Sequence, residues 1–198
     1  MANLKIVLPG HPLRKSTEEL VQKVYARQYG AKISSFPDTL VALVNGGGEP
    51  YCAAGLRIGL KDCFSELYLD DNIQNMFSKA VGERVNRKNI LEVTNLASVR
   101  IGASFVLLRE ITAYGRERDM QFGVFTATNR LRQALHATRV QMFEFSPAWK
   151  SRVSNPDDWG SYYEHDPWVC GLADTFMRQT RSRLNIASYP PKPQLLVA

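Results

Sequence analysis

The sequence predicts an α/β fold, a mixed central sheet flanked by helices. Three observations carry this. Residues 90–128 read ILEVTNLASVR, then IGASFVLLREITAYGRERD, then MQFGVFTAT: a buried strand, a helix and a second strand. Thr39–Val44 and Tyr51–Ile58 are two β-branched and apolar runs joined by the glycine-rich turn NGGGEP, which is the pattern of a hairpin. Strand–helix–strand order then demands a crossover, and a crossover beside a hairpin gives a sheet of mixed direction.

In chain order, Ser16 to Gly30 predicts a helix. Ser16 and Glu19 have capping-box spacing, Leu20, Val21, Val24 and Tyr25 form the apolar stripe, and Gly30 is its stop. The hairpin follows. Residues 59–89 are less regular, with a short piece at Phe64–Leu69. Asp70 or Asp71 is then placed to cap a helix carrying Ile73, Phe77 and Val81. In the central unit the strand is Ile90 to Ala97. The helix face is Phe105, Leu108, Ile111 and Thr112, and the next strand is Gln121 to Thr126. Asn129 to Thr138 predicts a helix capped by Thr128 or Asn129, and Gln141 to Phe145 a last strand. From Ser146 the periodicity weakens into an aromatic-rich segment, and Pro190, Pro191 and Pro193 mark an extended tail. The whole, 1–198, is read as one domain with 146–198 as its appendage.

Composition narrows the classes. A chain of 198 residues with 44% hydrophobic residues can bury a core. No apolar run approaches the ~18 residues of a membrane span. The start, MANLKIVLPGHPLRK, is too short in apolar residues for a signal peptide, so a cytoplasmic protein without integral membrane association is expected. Cys52, Cys63 and Cys170 are odd in number and scattered, which suits free thiols. No His pair has ligand spacing, and no metal is expected. A net charge of +6 favours an acidic partner. The Arg84–Lys88, Arg116–Arg118 and Arg130–Arg139 clusters lack interleaved aromatics, so nucleic acid is not expected, and each is read as solvated surface.

Between the central strand and helix, Arg100, Gly102, Ala103 and Ser104 form a small-residue turn. Free N–H groups at a helix start attract phosphate or another anion. Most such turns are purely structural.

The motifs YARQYGAKISSFPDTLVAL, GLRIGLKDCFSELYLDDNIQ, RKNILEVTNLAS, VFTATNRLR and WGSYY, in this order from Tyr25 to Gly171, resemble the bacterial thermostable hemolysin family. That family's fold is similar to the GNAT-like (acyl-CoA N-acyltransferase) fold of acyl-homoserine-lactone synthases. The resemblance implies an acyltransferase. It would take a fatty acyl group from an acyl carrier protein or acyl-CoA, bound as acyl-phosphopantetheine, and pass it to a small amine acceptor such as an amino acid. No cofactor would be held permanently. It further implies that Leu96, Ala97 and Ser98 flank the pantetheine arm and that Arg100, Gly102, Ala103 and Ser104 hold its phosphate. The lactone synthases carry a glutamate and, three residues later, an arginine on this strand. Glu92 matches the first, but Asn95 stands in the second position, and the early tryptophan is missing. S-adenosylmethionine and a lactone product are therefore not carried over.

Thioester aminolysis needs a proton acceptor, a group polarising the carbonyl, and help for the leaving thiolate. Glu92, in an apolar strand, is the candidate base; the alternative is an ion pair with Arg87, Arg100 or another cation. Asn95 and Ser98 either orient substrate or satisfy their own backbone. Tyr163 is the candidate acid and Tyr162 a pocket wall, against plain packing. Thr126 and Thr128 either line the acceptor side or close a buried strand. Asp70 and Asp71 are read as caps. A membrane-lytic protein and a non-catalytic acyl-thioester-binding module are the competing functions. Oligomeric state, a homodimer included, is left open.

Overall fold

A computed structural model describes residues 4–59 and 61–174. The elements are β1 (Leu4–Val7), α1 (Arg14–Tyr29), β2 (Thr39–Val44), β3 (Pro50–Ile58), α2 (Ile73–Val81), β4 (Ile90–Ser98), α3 (Ala103–Arg116), β5 (Phe122–Ala127), α4 (Asn129–Ala137), β6 (Phe143–Pro147) and β7 (Trp168–Ala173). A 3-10 turn, Phe64–Tyr68, lies between β3 and α2. The seven strands form one sheet in the order β1-β2-β3-β4-β5-β7-β6. Among the described residues only the β4–β5 pair is parallel, as the crossover through α3 requires.

Apolar side chains divide the core into three parts. Leu91, Val93 and Leu96 of β4 pack with Leu107 and Ile111 of α3 and Leu131 and Leu135 of α4. On the opposite face α1 lays Leu20, Val21, Val24 and Tyr25 over Leu40, Ala42, Ala53 and Ala97. Beside it, Ile73 and Phe77 of α2 join Tyr68, Ile90, Val124 and Val169.

Several expectations change. α1 starts two residues early, because the Leu13 carbonyl accepts from both Ser16 Oγ (3.1 Å) and Thr17 Oγ1 (2.7 Å). Ser16 is thus inside the helix and forms no capping box; Gly30, at φ 69°, does end it. The buried face of α3 is Ala103, Ser104, Leu107, Ile111 and Gly115, rotated from the face read in the sequence. Asn72 precedes α2, whose Ile73 N–H donates to Glu66 (2.8 Å); Asp71 instead accepts from the Asn72 amide and the Asn75 side chain. Arg132 is buried, donating to the Ala127 and Asp166 carbonyls and the Asp166 carboxylate, and is no surface cation. β1 and β7 have no counterpart in the sequence reading. β7 inserts between β5 and β6, so Trp168–Ala173 of the aromatic-rich segment joins the sheet, while the proline tail lies outside the described residues.

Candidate functional site

The parallel pairing of β4 with β5 runs from Ile90↔Phe122 to Val93↔Phe125 and stops. Both strands continue, β4 paired only to β3 and β5 only to β7. One residue causes much of this. Between Gly55↔Thr94 and Ala53↔Ala97, β3 advances two residues and β4 three, so β4 carries a bulge. Asn95 sits there at φ 52°, in the left-handed region that asparagine tolerates better than most residues. The bulge also puts Leu96 on the same face as Leu91 and Val93, despite the odd spacing.

A cavity of about 230 Å³ fills the gap and is lined from both faces of the sheet. One side is apolar and mostly aliphatic: Val93, Leu96, Leu108 of α3, Phe125 and Leu131 of α4. The other side is aromatic and polar: Tyr25, Phe64, Ser65, Tyr68, Thr94, Asn95, Thr126, Trp159 and Tyr162, with Lys32, Arg57 and Asp158 as its charged residues. Beyond Val93 the β4 edge that would face β5 has no strand to pair with, and its backbone groups remain for a ligand.

Glu92 is fully buried and lies under the cavity wall. Oε1 accepts from Ser65 N (2.7 Å) and lies 3.5 Å from Cys63 Sγ. Oε2 accepts from Phe64 N (2.9 Å) and Arg57 Nη1 (3.1 Å). Its cation is therefore Arg57, its cross-strand neighbour, and not Arg87 or Arg100. Arg87 pairs with Glu66, and the Arg100 guanidinium stacks 4.2 Å from the Tyr51 ring centre. The carboxylate is saturated with donors and fixes the 3-10 turn onto β4. From that turn Ser65 Oγ reaches Thr126 Oγ1 (3.2 Å) across the gap.

Among the residues singled out from sequence, Asn95, Leu96, Thr126 and Tyr162 line the cavity together. Tyr163 does not, but its hydroxyl lies 2.8 Å from that of Tyr68, which does. Burial pushes the Tyr68, Tyr162 and Tyr163 phenols above their ordinary range, so all stay protonated donors. Thr128 is buried at the α4 N-terminus, and Ala97 is buried against α1. Ser98 closes the turn after β4, donating to Arg100 O (2.8 Å) and accepting from Arg100 N (3.1 Å). Gly102, at φ 76°, precedes α3, whose first turn has no side-chain cap; Ala103 and Ser104 are buried in it. This turn is outside the cavity lining. The cavity meets α3 at Leu108, five residues on, or roughly 7 Å along the axis at ~1.5 Å per residue. Arg57, Ser65, Lys32 and Asp158 were not singled out beforehand. They lie in or beside GLRIGLKDCFSELY, AKISS and DWGSYY, but no local spacing marks them.

A mixed sheet whose central parallel strands part around a cavity, with α3 following the inner strand, is the GNAT-like architecture. Solved structures bear out the fold. FeeM, an N-acyl amino acid synthase from uncultured soil microbes, aligns with TM-score 0.64 at 13% identity, covering 94% of this chain and 97% of its own. BjaI, a CoA-dependent acyl-homoserine lactone synthase solved with SAM and isopentyl-CoA, aligns with TM-score 0.56 at 14% identity, covering 98% and 95%. A putative N-acetyltransferase from Lactobacillus plantarum aligns with TM-score 0.53 at 11% identity, covering 86% and 97%. Comparison with curated proteins gives no match. The model of the thermostable hemolysin family matches residues 7–175, and the chain belongs to that family.

Proposed function

We propose that this protein is an N-acyltransferase that moves an acyl group from a phosphopantetheine thioester, on coenzyme A or a carrier protein, to a small amine. The observation that carries this is the end of the β4–β5 ladder at Val93 and Phe125, where a cavity with one apolar and one polar side opens. The freed β4 edge suits an extended arm bearing amides, added beside it like a short strand. The uncapped first turn of α3, after Arg100 and Gly102, suits the arm's phosphate. The apolar side suits the acyl chain.

The step is aminolysis. The amine nitrogen attacks the thioester carbonyl carbon, the C–S bond breaks, and the amine's proton ends on the departing sulfur, giving an amide and a free thiol. Backbone N–H groups of β4 around the bulge are placed to meet the carbonyl oxygen as it gains charge. The Tyr68–Tyr163 hydroxyl pair supplies a hydrogen bond for the thiolate. A phenol held above its ordinary range steadies a thiolate without giving its proton up. Asp158 is the carboxylate facing the cavity among the described residues, and takes the role of drawing the proton from the amine. Glu92 acts through the turn it holds, as a positioning residue. The FeeM and BjaI structures support the reading by their stated activities.

The test is thiol release from panels of acyl-CoA and acyl carrier protein thioesters with panels of amines. Turnover with at least one pair is expected. Donor binding without turnover would leave only an acyl-thioester-binding module. Among the described residues no helix is long and apolar enough to cross a membrane.

A further inference from the structure

Charge is distributed unevenly along the cavity. Arg57 and Lys32 are its cations and Asp158 its acid among the described residues, and Lys32 and Asp158 adjoin through a backbone hydrogen bond of 2.6 Å. Arg57 differs from Lys32 in being built in. It stands on β3 directly opposite Glu92. Its side chain is 30% exposed and its Nη1 is tied to a carboxylate that is fully buried. Nε and Nη2 have no protein acceptor among the described residues. A guanidinium is a rigid planar fork, and one held by a fixed partner on one side loses little freedom when a second acceptor arrives on the other. Glu92 cannot serve as that second acceptor, since Phe64 N and Ser65 N occupy its oxygens.

We infer that the acceptor amine also carries a carboxylate, which docks on the free edge of the Arg57 guanidinium. This rests on the acyl-transfer reading and adds to it the chemical class of the acceptor. With Arg57 and Lys32 set against Asp158, the cavity presents both signs of charge, the complement of a zwitterion and not of a polyamine. Asp158 and Arg57 take the two ends: the amine faces Asp158, and the carboxylate faces the β3 arginine. The hydroxyls of Ser65 and Thr126, on the same side of the cavity, complete a polar pocket for a molecule of amino-acid size.

The experiment compares amino acids with their own carboxamides, which differ only in this charge, with the acyl donor held fixed. With the native protein, kcat/KM for each acid should exceed that for its carboxamide by about 10- to 100-fold, the range of a charge-assisted hydrogen-bond pair. Glu92→Gln keeps the arginine and should keep the preference. Arg57→Gln combined with Glu92→Gln removes both charges without stranding either, and should reduce the preference to within about threefold. Lys32→Met should retain it. Equal rates for acid and carboxamide with the native protein overturn the inference, and need no variant to fold. A preference that survives the double substitution, or that vanishes in Lys32→Met, also overturns it. Failure to release thiol with any amine counts against the acyl-transfer reading itself, which keeps the two outcomes apart.

Discussion

Replacing Glu92 by alanine separates an anchor from a general base. The substitution strands four donors: Arg57 Nη1, the Phe64 and Ser65 amides and, more weakly, the Cys63 thiol. Arg57, 30% exposed, can turn to water, so its share is small. The Ser65 amide is buried with its residue, and each buried N–H left without an acceptor costs about 1–3 kcal/mol. Two such amides, with the Arg57 share small, sum to about 2–6 kcal/mol. The expected loss is the middle of that range, about 3–5 kcal/mol. At roughly 2–4 °C per kcal/mol for a chain of this size, the midpoint should fall by about 6–20 °C. Urea unfolding measures the first quantity, and native-state hydrogen exchange of the Phe64 and Ser65 amides shows where the loss falls. A loss under about 1 kcal/mol, with those two amides exchanging as before, would refute the anchor. If kcat then also collapsed, the carboxylate would be working on substrate.

Three further outcomes follow from local geometry. Burial pushes the Cys52 and Cys170 thiols to about 12 and the Cys63 thiol higher, the last aided by Glu92. None of the three should react with a disulfide reagent at pH 8 in the native protein, and all should react in denaturant; fast native labelling of any one contradicts this. Burial opposes ionisation of Glu66, but Arg87 and the Ile73 amide outweigh it and hold its carboxyl below the ordinary range. A depressed folded-state value gives stability that is present above the unfolded value and lost as pH falls through the folded one. Arg87→Met should therefore flatten the stability–pH curve on the acid side of about pH 5, measured by urea midpoints. Gly160, at φ 53°, would place a Cβ 2.0 Å from the Tyr29 carbonyl oxygen, a backbone atom that cannot turn aside. Gly160→Ala should cost at least about 2–3 kcal/mol in thermal unfolding, and an unchanged midpoint would mean the 156–163 loop does not close on α1.

What the sequence shows of the fold is what local periodicity can carry. β2, β3, β4, α3, β5 and α4 each repeat their apolar residues at strand or helix spacing, and each was found within two or three residues of its place. β1 is four residues long and ends two before Pro9, too short for a pattern to emerge. β7, WVCGLA, is half of a non-local pairing and does not alternate. Gly171 sits against Phe145 and Phe77, and a Cβ there would meet Phe145 at 2.5 Å, so the glycine marks close packing and not a turn. The site follows the same division. Thr126 was legible at the end of a recognisable strand, and Asn95 as a polar residue within one. Arg57 and Ser65 meet Glu92 only after a turn folds back across β4, and Lys32 and Asp158 meet only because the 156–163 loop lies on the end of α1. Distances between such residues are set by tertiary packing, and their spacing in the chain holds no trace of it. Resemblance to a family pointed to β4 and Glu92, while the donors around that carboxylate come from residues far from it in the chain.

Asn95 links the sheet defect to the proposed chemistry. Its positive φ lets β4 take one extra residue, and that residue turns the strand's edge away from β5. Asn95→Val places a β-branched side chain where the left-handed conformation is strongly disfavoured, at a cost of about 1–3 kcal/mol. The chain can escape this by straightening the bulge. Straightening shifts every later residue of β4 to the opposite face, so that Leu96 would leave the α3–α4 core and Ala97 would take its place. Either response disturbs the cavity floor. Asn95→Gly keeps the conformation free of strain and removes only the amide side chain. Acyl-thioester binding, followed by calorimetry, should therefore persist in Asn95→Gly and weaken at least tenfold in Asn95→Val. If both variants bind as the native protein does, the bulge is incidental to ligand entry and the cavity owes its opening to β5 alone. If glycine also abolishes binding, the Asn95 side chain itself touches the donor, and the backbone edge is not the main contact.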